Sequence, residues 1–209
     1  MAFSAVKFPN LRLKHGNIKE IIDPIAVTGN GTREVRRKIN RWDRYTWTIP
    51  SRQLLEADKL EVIKFFRQVQ SGLTSFLYQD PDFPEFNGHK LGNRSGSTWY
   101  LNIPYDLTTP GTHPIMNPQM GELTFKLNGV TTASTFAIDA NGYPYVNVPG
   151  SSAGSTITVF GNVYLTARFD GSISTTITSM EKSTLNSNCI VKPSVSLMSD
   201  IKLIEVFEV

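Results

Sequence analysis

Apolar positions along this chain alternate with polar ones far more often than they recur every three or four residues. Tyr45, Trp47 and Ile49 are interleaved with Arg44, Thr46 and Thr48, the two-residue period of a strand with one buried face. The same period runs through Ile157, Val159, Val163, Leu165, Ala167 and Phe169, with Thr156, Thr158, Tyr164, Thr166 and Arg168 on the other parity and a kink at Gly161. Upstream, Ile18–Val27 is rich in Ile and Val, and Thr32–Ile49 reads as one long strand with room for a bulge. Between them, Thr28-Gly29-Asn30-Gly31 predicts a hairpin turn, because Gly and Asn adopt positive φ at little cost.

One segment breaks the pattern. From about Leu55 to Gln70, Val62, Phe65, Phe66 and Val69 fall on one face at helical spacing. Early acids and late Lys and Arg suit the helix dipole, and Gly72 fits a C-terminal stop. Thr74–Gln79 predicts the next strand, and residues 82–98 read as a loop punctuated by Pro84, Gly88, Gly92 and Gly96. Short strand candidates follow at Thr98–Ile103, Leu123–Leu127, Thr135–Ile138, Tyr145–Val148 and Thr156–Val159, with Asn128-Gly129 and Asn141-Gly142 as turns. Ile201–Phe207 is apolar on both parities, as in a strand covered on both sides. The expected fold is mainly β: a β-barrel or sandwich with one flanking α-helix and a small inserted antiparallel module.

Charge sharpens the domain reading. Residues 1–92 hold 25 charged side chains and residues 93–162 hold five. The breaks near Gly92 and Gly161 place an insert at 93–159 within a host domain made of 1–92 and 160–209. The net charge of +3 is too small to indicate nucleic-acid binding by itself. Cys189 is the single cysteine, so no internal disulfide forms, and folding in a reducing cytoplasm is the simple expectation. No apolar run reaches the roughly 18 residues of a membrane helix, and the N-terminus lacks the features of a signal peptide. No membrane partner is expected.

Three stretches resemble the distal tail proteins of long-tailed phages and gene transfer agents. They are the opening Phe3-Ser4-Ala5-Val6-Lys7-Phe8-Pro9, the run Phe65-Phe66-Arg67 through Gly72 to Phe76-Leu77-Tyr78-Gln79-Asp80, and Val163–Asp170 with the closing Leu203-Ile204-Glu205-Val206. The resemblance implies a host domain whose copies form a homo-oligomeric ring, a hexamer. That ring would join the tail tube protein to a tail-tip hub or baseplate and continue the channel through which DNA passes. It implies a structural virion protein at the distal end of a phage tail, made in the host cytoplasm. A tail tube or tail-completion subunit, or a carbohydrate-binding adsorption protein of the tail tip, are the alternatives.

Candidate contacts follow. Arg33, Arg36, Arg37, Arg41 and Arg44, with Lys38 among them, are expected to pair with acidic residues of a neighbouring subunit and fix ring register. DNA contact ranks last, since tight phosphate binding would hinder ejection. The long strand Thr32–Ile49 and the C-terminal strand are the expected ring surfaces. In the low-charge insert, Trp99, Tyr100, Tyr105, Tyr143 and Tyr145 are candidates for stacking on sugars or contacting a partner.

Catalysis has little support. Asp80, Asp82 and Glu85 sit in a Pro-broken loop without the spacing of a calcium-binding hand. His15, His89 and His113 are far apart, and there is no His-x-x-x-His, Cys-x-x-Cys, Gly-x-Ser-x-Gly or Walker sequence. No enzyme, cofactor or metal is expected.

Overall fold

The computed structural model describes residues 2–9, 18–22, 25–30, 33–38, 42–50, 52–69, 73–104, 112–171, 175–177, 195–198 and 200–207. The chain is mainly β with one helix, and no closed barrel occurs among the described residues. It divides into two compact units. The first comprises residues 1–22, 44–76 and 167–206, and the second 23–43, 77–166 and 207–209.

The main sheet of the first unit has six strands in the order β1-β7-β18-β21-β5-β2. These are β1 (Ala2–Lys7), β7 (Thr74–Tyr78), β18 (Leu165–Phe169), β21 (Ile201–Glu205), β5 (Arg44–Ile49) and β2 (Ile18–Ile22). Alternation in β5 buries Trp47 and Ile49, and alternation in β21 buries Ile201, Leu203 and Glu205 while Lys202 stays exposed. The C-terminal strand is covered on both edges by its own chain. β21 pairs with β18 through Ala167, Arg168 and Phe169, and with β5 from Ile201↔Ile49 to Ile204↔Thr46. Neither it nor β5 is the bare ring edge expected from the sequence. The other parity has Lys202 exposed and Ile204 half-buried, so the strand expected to be covered on both sides is fully buried on one face only.

Helix α1 (Glu56–Gln68) buries Lys59, Val62 and Phe65, with Val69 just beyond, and leaves Leu60, Glu61, Lys64 and Arg67 exposed. Its apolar stripe meets a cluster of rings. Phe65 lies edge-on to Phe76 at 5.0 Å, Phe66 edge-on to Phe169 at 4.8 Å, and Phe8 stacks on Phe76 at 5.8 Å. Edge-to-face aromatic pairs contribute about 1 kcal/mol each beyond the area they bury. The opening Phe8, the helix and β7 thus share one core. A three-stranded sheet of β19 (Thr175–Ile177), β20 (Val195–Met198) and β6 (Arg52–Leu55) completes the described part of this unit. Gly72 and Cys189 lie outside the described residues.

The expected long hairpin is present as two nested ladders. β2 pairs with β5 from Ile18↔Thr48 to Ile22↔Arg44, while β3 (Ile25–Asn30) pairs with β4 (Arg33–Lys38) in a separate two-stranded ribbon of the second unit. Thr28, Gly29 and Asn30 end β3, opposite Val35, Glu34 and Arg33, so the chain reverses between Asn30 and Arg33, at the end of the tetrapeptide expected to turn.

The rest of the second unit is built around the four-stranded sheet β14-β13-β17-β8. Its strands are β8 (Glu85–Lys90), β13 (Leu123–Leu127), β14 (Val130–Thr132) and β17 (Ile157–Asn162). A second four-stranded sheet, β15-β16-β10-β9, is formed by β9 (Asn93–Ser95), β10 (Thr98–Trp99), β15 (Thr135–Ile138) and β16 (Pro144–Asn147). The short pair β11 (Asn102–Ile103) and β12 (His113–Pro114) adds a small ladder. The Asn128-Gly129 turn connects β13 to β14 with φ of 49° and 89°, the mirror-image turn that suits a tight hairpin. β8 and β9 occupy a stretch expected to be loop. Gly88 there is a bulge residue at φ 75°, where β8 shifts register against β17, and not a strand breaker. Because β8 pairs with β17, residues 85–90 belong with the second unit.

The expected run from Thr156 to Phe169 is likewise divided. β17 and β18 lie in different sheets, separated where the Val163 N–H donates to the Pro84 carbonyl at 2.9 Å.

Candidate functional site

Of the five arginines expected to act together, Arg33, Arg36 and Arg37 share strand β4 of the ribbon, with backbone positions opposite Asn30, Val27 and Ala26. Antiparallel pairing places positions 33, 35 and 37 on one side of the ribbon and 34, 36 and 38 on the other. Arg44 stands apart, half-buried in β5 of the first unit opposite Ile22. Arg41 lies outside the described residues.

The bare edges of the six-stranded sheet are β1 and β2, since among the described residues each pairs on one side only. β2 presents two large apolar side chains to solvent, Ile18 at 56% and Ile21 at 66% exposure. They lie on opposite faces of the strand, Ile18 opposite Thr48 and Ile21 opposite Tyr45. Between them the Lys19 ammonium sits 4.0 Å over the Tyr45 ring, fixing that face of the edge. The sequence marks these residues as strand formers. It does not mark them as unpaired on one side, because that depends on where the strand falls in the sheet.

The aromatic residues of the insert do not form one platform. Trp99 is 2% exposed, and its Nε1–H donates to Ser151 Oγ at 2.9 Å, which in turn donates to the Val148 carbonyl at 2.7 Å. It is a core residue with its polar tip satisfied, not a stacking surface. Register pairs Trp99 with Val146, so the neighbouring Tyr145 lies on the other side of that sheet. There the Arg94 guanidinium covers the Tyr145 ring at 4.8 Å. Tyr143 meets the edge of Trp42 at 5.6 Å, and Trp42 in turn packs on Phe207 at 5.4 Å. Tyr100 is half-buried, with its N–H donating to the Gly92 carbonyl at 2.9 Å. Tyr105 lies outside the described residues.

Two polar constellations organise this region and went unread in the sequence. Asp139 accepts the N–H groups of Asn141 and Tyr143, both at 2.8 Å, and pairs with Arg94. The Tyr143 N–H, joined by Asn141 and Arg94, holds its carboxyl below the usual carboxylate range against some desolvation. Asp139 therefore shapes the Asn141-Gly142 turn and ties β9 to it. His89 is buried between the edges of Phe83 and Phe86, at 5.3 and 5.7 Å, and its Nδ1 accepts the Asn87 N–H at 3.0 Å. Burial lowers its pKa.

The acidic loop is structural. Asp80 is buried, and its Oδ1 accepts the Asp82 N–H at 3.1 Å, while Gln79 Nε2 donates to the Pro84 carbonyl at 2.9 Å. Glu85 is exposed on β8. His113 packs on the Phe207 ring at 5.6 Å, and His15 lies outside the described residues. Among the described residues no group of three His, Cys, Asp or Glu side chains is placed to hold a metal ion. No described helix is long and apolar enough to cross a membrane.

No family model matches this chain, and no curated protein matches it either.

What the residues offer chemically is contact. Among the described residues β2 pairs on one side only and is flanked by apolar side chains, which is a template for strand addition. The ribbon β3–β4 carries a run of basic residues whose positions alternate between its two sides.

Proposed function

We propose that this chain is a structural subunit of a ring, acting as a distal tail protein that joins a phage tail tube to its tip. The observation that carries the reading is the six-stranded sheet with β1 at one edge and β2 at the other. A closed ring needs two different surfaces on each subunit that meet head to tail. Two bare edges of one sheet meet that need, and the exposed Ile18 and Ile21 are a hazard for an isolated chain that a neighbour would remove. The order of the three resembling stretches supports the same reading, since Phe8, Phe65, Phe66, Phe76 and Phe169 from those stretches share the core of this unit.

In this reading the partners are other copies of the chain, the tail tube above and the tip hub below, with DNA passing through the centre. The work is geometric: keep a channel open, match the symmetry of the tube and present a docking face. The arginines of β4 serve subunit register through ion pairs.

The test is the mass of the purified chain in solution together with negative-stain images. The expected result is annular particles whose rings each hold about six copies. Ile18→Lys with Ile21→Lys should abolish them while the circular dichroism spectrum is kept, and Arg36→Glu with Arg37→Glu should weaken them. Labelled virions showing a solitary copy away from the tail axis would overturn the reading.

A further inference from the structure

The outward face of the β14-β13-β17-β8 sheet is charged at both ends, with opposite signs. Pairing of β8 with β17 and of β17 with β13 sets three rows across the strands. The first row holds Lys90, Thr158 and Lys126. The second is centred on Phe160, and the third has Glu85 beside Asn162, whose Nδ2 donates to Glu122 at 3.2 Å. The opposite parity, including His89, Val159, Phe125 and Phe86, is buried, so the three rows face outward.

Phe160 is half-buried on this otherwise polar face, and the Lys126 ammonium lies 4.6 Å from its ring centre. Gly88 leaves the space that the ring occupies, since a Cβ there would sit 3.3 Å from Phe160. Among the described residues neither Lys90 nor Lys126 has an acidic partner. Successive outward rows stand about 7 Å apart along a strand, so the basic and acidic rows are about 13 Å apart with the aromatic ring midway.

We propose that this face pairs with the same face of a second copy, about a two-fold axis that runs across the strands through Phe160. That axis reverses strand direction and keeps strand order. It sets Lys90 against Glu85 of the second copy and Lys126 against Glu122, and brings the two Phe160 rings together at the centre. A two-fold axis along the strands would instead oppose lysine to lysine and glutamate to glutamate, so charge selects the first arrangement. An aromatic centre enclosed by complementary charge is the usual anatomy of a specific contact. Sheets meeting face to face in this way keep their strands within about 30° of one another.

This pairing stands independently of the ring. Both lysines changed together (Lys90→Glu, Lys126→Glu) leave a face of one sign, and both glutamates changed together (Glu85→Lys, Glu122→Lys) leave one of the other. All four positions are at the surface of the unit, so the fold should be kept, as checked by circular dichroism. The full chain and both variants are compared by light scattering after size-exclusion chromatography. Each variant alone should have half the particle mass of the unaltered chain, and an equimolar mixture should regain the full mass. If rings form, the halving is from two rings to one. If they do not, it is from dimer to monomer. Loss of rings alone would be a larger drop, and mixing would not reverse it. Equal masses for the unaltered chain and both variants would overturn the proposal, as would a mixture that stays at half mass.

Discussion

The carboxylate of Glu205 accepts the backbone N–H of Tyr45 at 3.0 Å, where the β21–β5 ladder runs out. Backbone pairing between these strands extends to Ile204↔Thr46, and the Glu205 side chain takes up the donor beyond it. The same residue is buried and stands opposite Ala167 in the β18–β21 ladder. Glu205→Ala leaves the Tyr45 donor without this acceptor and should cost about 2 kcal/mol. Glu205→Gln keeps an acceptor oxygen and should cost less. Urea unfolding of the two variants beside the unaltered chain checks the order.

Gly161 has a φ of 124°, and a Cβ there would fall onto the Glu122 carbonyl oxygen and 3.0 Å from its carbon. Both the backbone angle and the close approach of the 120–122 turn require glycine at this point of β17. Gly161→Ala should destabilise by about 3 kcal/mol, combining strain and overpacking. Gly121→Ala meets nothing within 4 Å and should change stability by less than about 1 kcal/mol. A matched pair of denaturation curves tests the contrast.

His89 should make the second unit weaker in mild acid. Burial lowers its folded pKa below the ordinary 6.5, so as pH falls the unfolded chain binds the proton first. Its contribution is complete above pH 6.5 and is lost as pH falls through the folded value. Protonation also removes the Nδ1 acceptor from the Asn87 N–H at the bulge. Asp139 acts in the same direction at lower pH. Its folded pKa is depressed, so its stabilisation is present above its unfolded pKa near 3.8 and is lost as pH falls through the folded value. Histidine resonances followed by NMR, with unfolding curves at pH 8 and pH 5, should show the His89 slope. His89→Phe should flatten it.

Trp99→Ala should behave as a core deletion. Removing a buried indole costs about 3–5 kcal/mol, and Trp99→Phe, which loses the bond to Ser151 and part of the ring volume, should cost less than Trp99→Ala. Thermal melts report both. A variant at Trp99 with unchanged stability would contradict its burial.

Much of the architecture was legible in the chain because period is a local property. Alternation in β5 and β17, the helical stripe of Val62, Phe65 and Val69, and the Asn128-Gly129 turn each follow from a few adjacent residues, whereas β18 buries Thr166 as well as Leu165 and Ala167. The loop read over 82–98 failed because Gly88, with a bulge, looks the same in sequence as Gly88 in a turn. The aromatic candidates of the insert were visible by type, but the sequence cannot tell a ring packed inward, as in Trp99, from one on the other face, as in Tyr145.

By itself the sequence determined that this protein is built from short, half-buried strands with one helix, since side-chain period dictates which positions are buried together. Only the tertiary structure decided which strands stand at an edge. Among the described residues the Ile-rich β2 is left at an edge and β21 is enclosed between β18 and β5, and that choice depends on pairing between residues far apart in the chain. The same long-range pairing gathers Lys90, Lys126, Glu85 and Phe160 onto one face, a charge pattern with no counterpart in their linear order.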